Sequence, residues 1–169
     1  DEALEFDVIK TKEMGFNMIR KHIKVEPARW YYHCDRHGIM VWQDMPSIAD
    51  HSKNVMPARD PEIAANITNK WSHDSIHRPA TECTIPQEWK NNFYREWGNI
   101  MDDFKCFQCI VVWVPFNEAW GQFDTPAVVE FTRAKDPTRL INESSGGNFS
   151  LCGDIVDVHH YPCPAMNFF

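Results

Sequence analysis

The spacing of apolar residues divides the chain into short helices and strands. Leu4, Val8, Ile9 and Met14 lie on one helical face, and Gly15 supplies a C-terminal stop. Residues 16–20 read as a short buried strand. After Pro27, residues 28–36 carry Trp30, Tyr31 and Cys34 at helical spacing, and Gly38 ends that helix. Residues 39–42 form a β-branched and aromatic run, which predicts a second strand. Residues 44–86 break this rhythm with five prolines and polar clusters, so they predict a long connection or insertion, with one weakly helical piece near 61–71. Pro86 opens a helix whose buried face is Trp89, Phe93, Trp97, Ile100 and Met101. Ile110–Val114 is apolar on both faces, as a central parallel strand is. A helix from about 126 to 135, a strand at 139–142, a Gly-rich polar loop at 144–150 and a strand at 155–159 complete the pattern. Helices alternating with about five strands predict an α/β domain with a parallel sheet.

The ends of those strands change the picture from fold to chemistry. His22 and Lys24 follow the first strand, Gln43 and Asp44 the second, and Asn117 and Glu118 the third. Asn142, Glu143 and Ser144 follow the fourth, and His159, His160 and Tyr161 the fifth. The βα loops of parallel α/β folds converge at that edge, so five polar strand ends in register predict a site there, in a barrel or its relative. Glu118 comes directly after a strand of five apolar residues. A carboxylic acid in such a partly dry setting tends to keep its proton, as general acids require. The local pattern is equally satisfied by a Glu that caps a helix or pairs with an Arg.

Composition narrows the partners. The 169 residues are 43% hydrophobic and 24% charged, which excludes a disordered chain, and the scattered charges exclude a membrane span. Seventeen basic against 24 acidic residues give a net charge of −7, a poor match for nucleic acid. Seven Trp and eleven Phe suit a buried core, and would equally suit an aromatic-lined carbohydrate site. The six cysteines are irregularly spaced, and Cys106-x-x-Cys109 has no second pair at knuckle spacing, so scattered free thiols are favoured over zinc or redox use. No signal or transit peptide is visible, and the chain opens as helix already under way, which is expected of a segment inside a larger protein.

Three segments carry a resemblance to a known family. The run Val-Val-Trp-Val-Pro-Phe-Asn-Glu-Ala-Trp-Gly-Gln from Val111 to Gln122 resembles the acid/base strand of glycoside hydrolase family 2. So does the stretch from Gly15 to Pro46, with Gly-Phe-Asn-Met-Ile-Arg-Lys-His, Arg-Trp-Tyr-Tyr-His-Cys-Asp-Arg and Gly-Ile-Met-Val-Trp-Gln-Asp-Met-Pro. The third is Gly-Asp-Ile-Val-Asp-Val-His-His-Tyr-Pro from Gly153 to Pro162. Residues 48–109 match weakly, and Cys106 to Cys109 depart from the usual pattern.

The resemblance implies a partial (β/α)₈ TIM barrel, about strands two to six, and hydrolysis with retention through a covalent glycosyl-enzyme. On it, residues 1–169 are part of a catalytic barrel, with strands seven and eight and the N-terminal β-sandwich domains of the family outside this chain. Such a piece would leave open sheet edges, so it is expected to be stable only with the rest of its protein, and inactive alone.

Carried over residue by residue, Glu118 matches the general acid/base and Asn117 the residue that binds the sugar 2-hydroxyl. His22 matches a histidine lining the sugar pocket, against a core histidine bonded to backbone. Asp44 matches a hydroxyl-binding position, against a loop-capping Asp. Arg20 matches a structural support paired with a carboxylate. His159 and Tyr161 match the sixth strand end, and strand alternation puts them on one face with His160 on the other. Trp120 is a candidate sugar platform, and Trp113 belongs rather to the core. Glu143 is structural or substrate-facing and not the nucleophile, which is expected outside this chain. His33, Asp35 and His37 suggest metal ligands by spacing, but the resemblance puts their helix on the outer surface, so a solvated face is the favoured reading and no metal or cofactor is expected.

The expected substrate is a β-glycoside, with a β-galactosidase-like specificity favoured, and the expected partners are that carbohydrate and the remaining parts of the same enzyme, with no nucleic acid and no membrane. A secreted or periplasmic location fits the resemblance. The competing reading is a non-catalytic carbohydrate-binding or structural module derived from the same barrel.

Overall fold

The computed structural model describes residues 1–48, 82–157 and 159. In chain order they form α1 (Glu2–Glu13), β1 (Met18–Lys21), α2 (Ala28–His37), β2 (Met40–Asp44), α3 (Gln87–Phe104), β3 (Ile110–Val114), α4 (Thr125–Lys135) and β4 (Leu140–Ile141). The four strands pair in parallel in the order β1-β2-β3-β4. Strand order therefore follows the chain with no reversal point, the winding of a barrel wall and not of a doubly wound sheet.

Both early helices end as their glycines predict. Gly15 has φ +87°, and the amides of Gly15 and Phe16 donate to Lys12 O and Thr11 O. Gly38 has φ +67°, and the amides of Gly38 and Ile39 donate to Asp35 O and Cys34 O. Each is a Schellman closure that satisfies the last helical carbonyls.

Register sorts the side chains onto two faces. Arg20 lies beside Trp42, and Asp44 beside Val114. Strand alternation therefore puts Arg20, Trp42, Asp44, Val112 and Val114 on one face, with Val41, Gln43 and Trp113 on the other. The second face packs against the helices. Trp113 meets Trp97 of α3 edge-to-face with ring centroids 5.6 Å apart. Gln43 is fully buried, accepts the Tyr31 hydroxyl from α2, and donates to Lys24 O at 2.9 Å. The core continues through Phe93, Met101, Phe116 and Phe123, so Trp113 is a core residue. Trp89 and Ile100, expected on the buried face of α3, are only partly buried at its edges.

Two strand expectations shift. The first strand begins at Met18 instead of residue 16, and Phe16 is 60% exposed. β1 is half-buried throughout, because it is an edge strand with one neighbour in the sheet. The expected fifth strand, residues 155–159, carries no strand at its described residues 155–157 and 159. The exposed edge of β4 is instead occupied by side chain and loop: the Ile141 amide donates to Asp154 Oδ2 at 2.9 Å, and the Asp154 amide to Ile141 O at 2.7 Å. Most of the long connection expected at 44–86, including its weakly helical piece, lies outside the described residues. No helix among the described residues is long and apolar enough to cross a membrane.

The floor of β3 and β4 is fixed by Asp136. It accepts from Trp113 Nε1 at 3.0 Å and from the Thr138 amide at 3.0 Å, and it pairs with Arg139, which also donates to the carbonyls of Ile110, Lys105 and Phe107. Burial works to raise this carboxyl, but the bonds from Thr138, Trp113 and Arg139 outweigh it and hold Asp136 well below the usual aspartate range. A depressed carboxyl stabilises the fold fully above its unfolded pKa, and that contribution is lost as pH falls through the folded value. Asp136→Ala is expected to destabilise the fold by about 3–5 kcal/mol at neutral pH, because it strands buried donors. The difference should shrink in strong acid, and denaturant melts at several pH values measure both effects.

Candidate active site

The polar strand ends meet at one guanidinium. Arg20, near the end of β1, donates from Nε and Nη2 to Asp44 Oδ1 and Oδ2 at 3.1 and 2.8 Å. Its Nη2 also donates to Asn117 Oδ1 at 2.7 Å, and its Nη1 lies 3.1 Å from His159 Nε2. A planar fork with five donors can hold such a divergent set, and an ammonium cannot. Asp44 is fully buried. Burial pushes its carboxyl above the ordinary aspartate range, and Arg20, the Ile23 amide and His22 pull it part of the way back.

His159 links this cluster to Glu118. Its Nδ1 lies 2.6 Å from Glu118 Oε1, while Nε2 faces Arg20 and, at 3.1 Å, Ser145 Oγ. An arginine N–H can only donate, so Arg20 takes the Nε2 lone pair, and Ser145 Oγ, whose proton goes to Asp157, makes no hydrogen bond to that nitrogen. Nε2 is therefore best read as the acceptor and Nδ1–H as the donor to Glu118. Asn142 Nδ2 holds Asp157 from the other side at 2.8 Å.

Glu118 itself sits on a strained turn. Glu118 and Ala119 have φ of +50° and +62°, and the Trp120 amide closes onto Asn117 O at 3.0 Å. Positive φ at both central residues is the pattern of a type I′ turn. Non-glycine residues in that region carry strain, which persists only where the surroundings impose it. Here the Glu118 amide donates to Ser145 O at 2.8 Å, and Asn117 bridges to Ser145. The loop after β4 thus holds the turn after β3 and aims the carboxyl along the strand ends.

The sequence candidates separate clearly. Arg20, Asp44, Asn117, Glu118 and His159 converge in one network. His22 stands at its rim, 55% exposed, with Nδ1 3.7 Å from Asp44 Oδ2, so it is not a core histidine. Trp120 is partly buried on the Glu118 turn. Tyr161 and His160 lie outside the described residues. Glu143 is structural: its carboxylate is buried and accepts the amides of Ser150, Leu151, Cys152 and Gly153 at 2.7–3.2 Å. It does not face the strand-end network. Cys152 also bonds Glu143, and burial with that carboxylate pushes the thiol up to about 12. Cys106 is exposed and Cys109 buried, both as free thiols, so they form no disulfide with each other.

Ser145, Asp157 and Gly146 were not singled out by sequence pattern. Asp157 lies within the Gly-Asp-Ile-Val-Asp-Val-His-His motif, two residues before His159, and that spacing was the one available signal. Gly146 has φ +91°, and a Cβ there would stand 2.5 Å from His159 Nδ1. Gly146→Ala is therefore expected to push His159 off Glu118 and lower kcat/KM on the order of 10²-fold, the scale of a 1 Å misplacement. Steady-state kinetics beside a thermal melt would separate this from unfolding.

The family model described as glycosyl hydrolases family 2, TIM barrel domain, matches residues 1–162. The chain belongs to this family. Among curated relatives, the β-galactosidase of Vibrio cholerae is 25% identical over 173 residues, covering 98% of this chain and 14% of that protein. The β-galactosidase of Pectobacterium atrosepticum is 26% identical, covering 92% of this chain and 13% of that protein. The chain thus spans about one-seventh of the length of these relatives. The solved β-D-mannosidase of Dictyoglomus thermophilum shares the fold with a TM-score of 0.56 at 22% identity, covering 85% of this chain and 17% of that one.

Proposed function

We propose that this chain is the acid/base-bearing part of a retaining β-glycosidase barrel. The observation that carries the reading is the continuous chain of contacts Asp44–Arg20–His159–Glu118, with Asn117 on the same guanidinium, at the C-terminal ends of parallel strands. Family membership supports the reaction class. In this reading Glu118 protonates the departing glycosidic oxygen and later deprotonates the attacking water. His159 fixes the carboxyl through Oε1, and Asn117, held by Arg20, presents its amide to the sugar 2-hydroxyl.

Retention requires a second carboxylate about 5 Å away as nucleophile. We assign it to the part of the barrel contributed outside these 169 residues, as we do the remaining strands and accessory domains. The substrate class is a terminal β-glycoside, and the similarity to curated β-galactosidases favours a β-galactoside. The test is a panel of aryl β-glycosides on the complete protein. Turnover with retained anomeric configuration, fastest on the galactoside, is the expected result. Sugar binding without turnover of any member would overturn the catalytic assignment.

A further inference from the structure

Away from the strand ends, the outer helix layer holds a second cluster. His33 and His37 stand one turn apart on α2, and Glu5 faces them from α1. The sequence favoured a solvated face here, but His33 is only 3% exposed. It is covered by α1, which runs alongside α2. One donor atom from each of Glu5, His33 and His37 lies within 4.8 Å of the other two.

The tautomer of His33 sets the chemistry. Its Nε2 lies 3.0 Å from Asp1 Oδ1, an atom that only accepts, so Nε2 carries the proton. In the neutral ring, the form that binds a metal, Nδ1 is then a bare lone pair, buried with no hydrogen-bond partner and 3.5 Å from Glu5 Oε1. A buried acceptor without a partner is costly. A carboxylate on one imidazole nitrogen with the other nitrogen bare is how proteins orient a metal-binding histidine. His37 Nε2 lies 2.8 Å from Glu5 Oε1, a hydrogen-bond distance.

We propose that Glu5, His33 and His37 form a divalent transition-metal site, with Asp1 as the residue that orients His33. Two imidazoles and one carboxylate match zinc, whose tetrahedral bonds of about 2.0–2.2 Å space donors roughly 3.3–3.6 Å apart. The His33–Glu5 spacing already meets this. The His37–Glu5 contact must open by about half an ångström, which two side chains 26% and 29% exposed permit. Zinc uptake displaces the proton between His37 and Glu5 to solvent. Arg36, 3.8 Å from Glu5, is 55% exposed and can swing away from the incoming cation. The bound ion would clip α1 to α2, where Val8 is the one buried residue of α1.

The test uses the complete protein stripped with chelator and titrated with Zn²⁺ against a chromophoric competitor, then with Co²⁺. One equivalent should disappear in His37→Ala and weaken at least about tenfold in Glu5→Gln, with circular dichroism unchanged. Asp1→Asn should weaken it about 10–100-fold, as loss of an orienting carboxylate does. The Co²⁺ form should show tetrahedral bands without thiolate charge transfer, and Cys106→Ser should leave them intact. Zinc stoichiometry and affinity equal in the parent and His37→Ala would overturn the proposal, as would thiolate bands that survive that substitution.

Discussion

Glu118→Gln in the complete enzyme is expected to slow hydrolysis of β-glycosides with poor leaving groups by about 10²–10⁴-fold, the usual contribution of a general acid/base. The amide keeps the shape of the side chain, so the turn held by Ser145 O should survive. It cannot deliver a proton to the departing oxygen or take one from water. Aryl glycosides with good leaving groups need little protonation, so they should still form the glycosyl-enzyme and then stall. Azide, a nucleophile that needs no base, should restore their turnover and yield the β-glycosyl azide. Undiminished hydrolysis of an alkyl glycoside would remove Glu118 from the role.

The second large effect is expected at Arg20. Its side chain is 21% exposed, and its partner Asp44 is 1% exposed. Arg20→Met would leave that carboxylate buried and unpaired, at a cost of about 3–5 kcal/mol. Asp44 would then titrate at still higher pH, because burial raises it and Arg20 is its main compensation. Arg20→Lys separates fold from chemistry. One ammonium can pair with Asp44 but cannot also reach Asn117 and His159 in the fork's geometry. The lysine variant should recover much of the stability while kcat/KM stays down on the order of 10²-fold. Denaturant melts and kinetics on both variants give the comparison. Full activity in Arg20→Lys would reduce Arg20 to an ion pair.

Much of the fold was legible in residue spacing. Ile110–Val114 forms the strand that its apolar run predicts, and Gly15 and Gly38 end their helices at left-handed positions. These are local decisions, made by side-chain period and by the φ that glycine tolerates. The site was legible in part for the same reason. Asp44, Asn117 and Glu118 each lie at or just after a strand, and parallel strands bring their C-terminal ends together, whereas His159 reaches the site from a segment whose described residues carry no strand. What spacing could not supply was the hub. Arg20 ends a run read as a buried strand, and the resemblance paired it with a carboxylate, but nothing local names its three partners, which lie 24, 97 and 139 residues away.

Sequence alone established the α/β class, the run of parallel strands, and the carboxylic acid after the third of them. Tertiary structure decided the rest. Glu143 and Glu118 both follow apolar strands, yet one is enclosed by four loop amides and the other is held by His159 at the strand-end network. His33 was expected on a solvated face, yet α1 covers it. In each case the chemistry of a polar side chain was set by which distant group removed its water. Periodicity along the chain records which face of an element is buried, and carries no record of what buries it.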